Sequence, residues 1–479
     1  MKAGKLSGEM ARKLVHVGMG IICLSFPWLF DSVLAVQVLA GIAIISLLVV
    51  RITKLRKSVG SALFSVDRIS IGELLFPLAV AWIFTLGWDK PVIYCIALLL
   101  LTLADTAGAL AGSKHGKKIY HTTAATKSLE GSLAFFITAF ICIALPLYFY
   151  SHLPIGLVLF LSLCISLFTM AVEGALGHGL DNLLIPLGAF LLLDYYIGLH
   201  EHVIFLRSLV LLALLGLLLA THRKHSFNGG ATLTAMLFGF AAFTLGGIPC
   251  LIVALMVFGR HLIAQHRMAA EHVVTHSIDV IIAIAIPSLF WLTLGQGEVL
   301  DATVAQFGFI CTQSLIISML HAGTQKHLYR KSASLGLGFF LSVITLTPAL
   351  MLNIELIHFI PTLVLGMPLA RFYYYWRSGP DDANQYQWIL LGVLAAVFSI
   401  VAMLPILLGK SSHRNLPNIR RSLIKARVSS PVMANSARVY GLITRRNIRV
   451  KPSGRLEHAK SMIHQRPLYF YPTVLTTFI

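Results

Sequence analysis

The sequence predicts an all-α fold, a polytopic integral membrane helix bundle, and three observations carry the prediction. Of its 479 residues, 57% are hydrophobic and 12% are charged, against about 25% charged in soluble chains. The mean hydropathy is +0.82. Apolar stretches long enough to cross a hydrocarbon core recur from Gly18 almost to Leu408, giving about 14 or 15 candidate spans at roughly 20 residues each.

The elements follow in order from charge and punctuation. Basic residues cluster between spans at residues 2–13, 51–68, 114–127, 223–224, 260–267, 326–331 and 371–377. The positive-inside rule makes these connections cytoplasmic. The short connections at 88–91, 151–154, 200–202 and 295–301 are poor in lysine and arginine and fit the opposite face. Carried to the end, this alternation places the C-terminal tail outside, so one span is miscounted. The short stretch 18–30 and the proline-broken stretch 356–370 are the candidates for re-entrant or interfacial segments, which need protein or water to satisfy their backbone. No basic region and small-residue cleavage site flank the first apolar stretch, so it is expected to remain as structure.

Six cysteines lie scattered in apolar runs with no C-x-x-C pair, which points away from zinc or a disulfide framework and towards small core residues. The net charge of +19 is uneven, because residues 410–479 hold 14 lysines and arginines against the single Glu457. A basic tail directly after a span fits attraction to anionic lipid headgroups, at about 1 kcal/mol per residue, or a disordered solvated tail. Nucleic acid is not an expected partner. The polar chemistry divides the chain into residues 1–200, with carboxylates, lysines and glycines in tight motifs, a second membrane-helix region at 201–408, and the tail at 409–479.

The segment from Asp105 to Ser132 reads DTAGALAGSKHGKKIYHTTAATKSLEGS. Asp105 ends an apolar run, and a charge at membrane depth marks a functional site by default. Gly108, Gly112 and Gly116 follow at intervals of four. They suit either a small-x-x-x-small packing face or a loop whose backbone approaches phosphate oxygens. Lys114, Lys117, Lys118 and Lys127 supply positive charge for a nucleoside triphosphate. Lys127 and Glu130 lie three apart, the spacing of an ion pair on one helical face, and Gly131 follows. The next connection on that face, EGALGHGLDN, adds Glu173 and Asp181.

Phosphoryl transfer needs carboxylates to hold metal, cations on the phosphates and a positioned nucleophile. Asp105, Glu130 and Asp181 share the predicted face and could hold Mg²⁺, which takes one or two carboxylates beside the phosphates.

Together with the N-terminal GEMARKLVHVGMG, the motifs DTAGALAGSKHGKK, TKSLEGS and GHGLDNLLIP resemble, in order over about residues 8–195, the phytol kinase and dolichol kinase family, which includes CTP-dependent diacylglycerol kinases. The resemblance implies phosphoryl transfer from CTP or another nucleotide to the hydroxyl of a membrane-embedded alcohol. By that resemblance Arg12, Lys13 and His16 match the amino-terminal basic motif. Asp105, Gly112 and Gly116 match the nucleotide loop, Lys127, Ser128, Glu130 and Gly131 the lysine-serine-glutamate-glycine motif, and Asp181 and Asn182 the last motif. The chemistry then assigns Asp105 and Asp181 to the metal, Lys127 to phosphate, Glu130 to a metal or supporting role, and His16 to the alcohol proton, its ordinary pKa lying near operating pH. The loops bearing these groups are expected on the cytoplasmic face of the membrane, the inner membrane if the source is bacterial.

Two alternatives compete. Phosphatidate cytidylyltransferases share the aspartate-glycine loop and the late GHG segment, but carry a second aspartate where this chain has Asn182. A transporter or flippase would suit the span count, but no broken helices recur in corresponding halves. In the second half, SFNGGATLTAMLFGFAAFTLGG faintly resembles the opening of the phytyl-phosphate kinase type without an acidic nucleotide motif after it. His261, His266, His272 and His276 include one pair at helical metal-ligand spacing, yet with only Glu271 nearby an interfacial connector is the favoured reading.

Overall fold

The computed structural model describes residues 2–52, 71–122, 125–266, 275–324, 331–376 and 385–412; the basic tail expected at 409–479 lies outside them from residue 413 onward. The chain is helical almost throughout. The first unit comprises α1 (Lys2–Leu24), the short α2 (Phe26–Leu29), α3 (Val33–Ile52), α4 (Gly72–Leu86), α5 (Pro91–Leu99) and α6 (Asp105–His115), the last two joined by a π turn over Leu100–Ala104. A two-stranded antiparallel hairpin, β1 (Ile119–His121) and β2 (Thr126–Ser128), pairs Tyr120 with Lys127. Then come α7 (Leu129–Tyr150), α8 (Ile155–Ala175), α9 (Asp181–Tyr196), α10 (Glu201–Ala220) and α11 (Gly229–His266). The remainder is α12 (Ile278–Gln296), α13 (Ala302–Thr324), α14 (Lys331–Leu346), 3-10 turns over Thr347–Leu352 and Leu356–Phe359, α15 (Ile360–Trp376) and α16 (Gln385–Ser412).

Among the described residues eleven helices are long and apolar enough to cross a membrane, fewer than the spans counted from hydropathy. The difference has a physical origin in helix length. Lys13–Leu29, interrupted at Ser25, and Gly72–Leu86 are apolar but short, and α9 has 16 residues. Of the two doubtful stretches, 356–370 belongs to a continuous 21-residue span, Leu356–Trp376. The 38 residues of α11 are broken at Gly247, whose φ of 68° lies in the left-handed region that glycine enters at no steric cost. Pro249, two residues on, lacks the N–H that would otherwise reach back four residues along the helix. The carbonyl of Leu245 accepts instead from Gln296 Nε2 at 3.3 Å.

All six cysteines are free, and five are buried. The largest apolar cluster runs from Cys23 through α4, α5, α7, α8 and α9, and continues past residue 200 into α10 and the first part of α11 at Met236 and Phe240. Two further clusters, one from Ala241 to Met403 and one from Val280 to Ala395, hold α12–α16 and the rest of α11. Helix α11 is therefore common to both halves, and its N-terminus reaches the end of the bundle where the charged motifs meet.

Candidate functional site

The glycines of the central motif set the spacing of two helices. A Cβ at Gly108 would lie 3.2 Å from the carbonyl oxygen of Gly131, one at Gly131 would lie 2.9 Å from that of Gly108, and one at Gly112 would lie 3.1 Å from Ser128 Oγ. Helices α6 and α7 thus meet backbone to backbone, the close approach that small residues permit in a membrane. At Gly116 a Cβ would collide with the Gly112 carbonyl, so the turn out of α6 also needs glycine. Ser128 is buried and caps α7, its Oγ accepting from the Gly131 N–H at 3.2 Å, as N-cap serines do.

Lys127 and Glu130, expected as an ion pair, take separate partners. Lys127 lies on β2 rather than on a helix, so the three-residue spacing no longer places both on one face. Glu130, in the first turn of α7, accepts the backbone N–H groups of Lys117 at 3.0 Å and Lys118 at 3.2 Å, which closes the turn into the hairpin. The side chains of Lys114, Lys117 and Lys118 are exposed. Lys127 Nζ instead donates to Glu173 Oε1 at 2.7 Å and to the Glu173 carbonyl. Burial acts to lower the Lys127 pKa, but the charges of Glu173 and Asp181 outweigh it and hold the ammonium above its ordinary value.

Asp105 is 7% exposed and begins α6 immediately after the π turn, a local irregularity found often at functional sites. Its Oδ2 accepts from Lys13 Nζ at 2.5 Å, and His16 Nε2 lies 3.8 Å from the same oxygen. Lys13 and His16 sit on one face of α1, three residues apart. His16 Nε2 is 3.0 Å from the Leu101 carbonyl in the π turn, which fixes that nitrogen as a donor because a carbonyl can only accept. The ring packs edge-on to Phe76 at 4.9 Å.

Asp181 opens α9 after a reversal through His178 (φ 57°) and Gly179 (φ 89°). Its Oδ1 accepts the Asn182 N–H at 3.1 Å, while Asn182 Nδ2 donates to the Gly72 carbonyl at 2.9 Å and ties α9 to α4. Asp105, Glu173 and Asp181 surround Lys127 within electrostatic range. Among the described residues no three His, Cys, Asp or Glu side chains form a group that could hold a metal ion. The carboxylates nonetheless offer the hard oxygen donors that suit Mg²⁺, a dication that completes its shell with water and substrate phosphates.

Three participants have no role assigned from the sequence, although two of them, Lys13 and Glu173, lie in its motifs. Lys13, explicable as a positive-inside residue, is the counter-ion of Asp105. Glu173, the partner of Lys127, carries the same signal as Asp105, a carboxylate closing an apolar run. Tyr120 carries no motif signal at all. It lies opposite Lys127 on the hairpin, its hydroxyl is 2.8 Å from Ser132 Oγ, and its ring packs so tightly on the start of α11 that a Cβ at Gly229 would collide with it. Gly230 abuts Thr122 and the Ala175 carbonyl, and Asn228 Oδ1 caps α11 by accepting the Ala231 N–H at 2.8 Å.

Behind this contact, His261 stacks on Phe227 at 4.6 Å and His276 packs against Trp388 at 5.3 Å. The His276 N–H donates to the Ser226 carbonyl at 2.6 Å. These two histidines therefore sit in an aromatic joint between α11 and α12; the His266 side chain and His272 lie outside the described residues. Arg12 is helical, and its side chain also lies outside them.

Over 192 residues, amounting to 38% of this chain and 78% of the relative, the chain is 29% identical to a phytol kinase from Synechocystis sp.. The resemblance to the phytol kinase and dolichol kinase family thus holds over a segment of the chain, and that segment is related to a lipid-alcohol kinase. No protein-family model matches the chain, and no solved structure matches it.

Proposed function

We propose that this protein is a membrane-embedded kinase that transfers the γ-phosphoryl group of CTP, or of another nucleoside triphosphate, to the hydroxyl of a lipid alcohol such as an isoprenoid alcohol or diacylglycerol. The observation that carries the reading is the convergence of a buried ion pair, Asp105–Lys13, and a half-buried one, Lys127–Glu173, at one end of a bundle whose walls are apolar. Charges cost too much at membrane depth to be kept for packing alone.

Exposed Lys114, Lys117 and Lys118 draw the triphosphate to the turn that Glu130 closes. Lys127, kept charged by its carboxylate neighbours, exchanges Glu173 for phosphate oxygens as these arrive. Gly108, Gly112, Gly116 and Gly131 bring the backbone of α6 and α7 close to that position, and Ser128 holds the start of α7. Asp105 and Asp181 are the residues that would hold Mg²⁺, which when bound supplies charge neutralisation on the transferring phosphates. His16, with Nε2 donating to Leu101, takes up the alcohol proton only through its other nitrogen. The acceptor hydroxyl enters from the lipid side, and the nucleotide-facing loops lie in the cytoplasm, where the triphosphate is.

The test is an assay of the purified protein with γ-labelled CTP and ATP against a panel of lipid alcohols. Labelled lipid phosphate without pyrophosphate release is the expected result. Pyrophosphate release with a nucleotide-linked lipid would instead mark a cytidylyltransferase.

A further inference from the structure

At the end of the bundle remote from Lys127, a second cation is buried, and among the described residues it has no ion-pair partner. Arg207 lies in α10, thirteen residues before its C-terminus and about 20 Å along the axis at 1.5 Å per residue. It is 9% exposed, and it is absent from the ion pairs of the described residues. Its guanidinium lies 4.4 Å from the ring centroid of Tyr196 and 5.6 Å from that of Tyr195. A cation over an aromatic face is stabilised electrostatically, but the rings accept no hydrogen bond from the Nη1 group, which is buried with no partner.

Arg207 also lines a groove of about 520 Å³ between α10, α11 and the 3-10 turn over Thr347–Leu352. The groove opens where α11 breaks at Gly247, and its walls are otherwise almost wholly apolar, with Leu206, Phe243, Ile248 and Met351 among them. Leu206, Ile248 and Met351 are 46%, 55% and 57% exposed, so this cleft faces the surrounding lipid. Arginines near helix ends usually extend their heads to the interface; this one is held inside, under tyrosines, at the head of an apolar slot. The arrangement matches an amphipathic anion in shape and charge, with a phosphate for the guanidinium fork and an acyl chain for the walls.

We propose that this groove is a binding site for an anionic glycerophospholipid of the leaflet opposite the nucleotide site, with the lipid phosphate on Arg207 and one chain along Leu206, Phe243 and Met351. The site is separate from the nucleotide chemistry and does not depend on it. It gives the break in α11 a role, since the unwound backbone at Gly247 opens the side of the helix against which the headgroup sits.

The test is native mass spectrometry of the full-length protein, delipidated in detergent and titrated with dioleoyl phosphatidylglycerol, dioleoyl phosphatidylcholine or inorganic phosphate. Wild type should retain phosphatidylglycerol in preference to phosphatidylcholine, R207Q should retain it at least tenfold less, and millimolar phosphate should not displace it. Equal retention by wild type and a folded R207Q would overturn the proposal, as would equal retention of the zwitterionic lipid. Displacement by inorganic phosphate would reduce the site to a free-anion site and overturn the lipid assignment. If R207Q does not fold, Met351→Trp decides, because it fills the groove and leaves Arg207 in place: lost retention supports the lipid, and unchanged retention removes it.

Discussion

The two halves of the bundle bury polar groups of different kinds. From α1 to α9 the buried and half-buried polar contacts include ions: Lys13 with Asp105, Arg51 with Glu73, Lys90 with Asp194 and Lys127 with Glu173. From α12 to α16, side chains on different helices join through hydroxyls, an amide and an indole. Ser314 and Ser342 share a hydrogen bond at 2.6 Å, Gln313 donates to Ser288 at 2.5 Å, and Trp291 donates to Ser399 at 3.0 Å. Hydroxyls and amides join membrane helices at about 0.6 kcal/mol per contact, whereas removing one partner of a buried ion pair costs about 3–5 kcal/mol. A bundle that needed only cohesion could use the neutral kind throughout, and under the proposed function the ion pairs of the first half are the ones that serve the chemistry.

The sharpest way to break this comparison is Asp105→Asn. Turnover should fall by about three orders of magnitude, within the range expected when a group central to transition-state charge is lost. The melting temperature should fall too, because Lys13 is left buried without a counter-ion. Adding Lys13→Met to the same chain should recover much of the thermal stability and none of the turnover. Recovery of both, measured by thermal unfolding and by labelled lipid phosphate, would reduce Asp105 to a structural ion.

Next in size is Lys127→Met, for which a loss of about 100-fold in turnover is expected, the magnitude of one lost electrostatic donor. Because the folded pKa of Lys127 is raised, the stability its pairing contributes is fully present below the ordinary lysine value and is lost only as pH rises through the folded value. Turnover should therefore show no decline assignable to Lys127 between pH 7 and about 9, and a wild-type alkaline limb in that window should persist in Lys127→Met.

Gly229→Val tests the boundary between the halves. It lies beyond residues 8–195, where the phytol kinase and dolichol kinase motifs fall, yet its new side chain would strike Tyr120 and displace the hairpin that carries Lys127. A loss of about tenfold in turnover, with a raised KM for nucleotide, is expected from a sub-ångström misplacement. A variant with wild-type kinetics would show that the second half does not position the first. The smallest effect belongs to Ser314→Ala, which should cost about 0.6 kcal/mol of stability and leave turnover unchanged.

Much of this protein is legible in its residues alone. Apolar runs of membrane length fix helices, because a backbone in hydrocarbon must satisfy its hydrogen bonds within the segment, and a carboxylate at the end of such a run marks Asp105 without any coordinates. Motif order carries the resemblance to the lipid-alcohol kinases. Partnership is another matter: Lys13 finds Asp105 across 92 residues, and Lys127 finds Glu173 across 46 in preference to Glu130 three residues away. Tyr120 meets Gly229 only because two elements from different halves end at the same depth. Hydropathy reports the cost of burying a group, which is local to it, whereas the compensation comes from whichever side chain the packed bundle brings within reach, and only the tertiary structure decides which one that is.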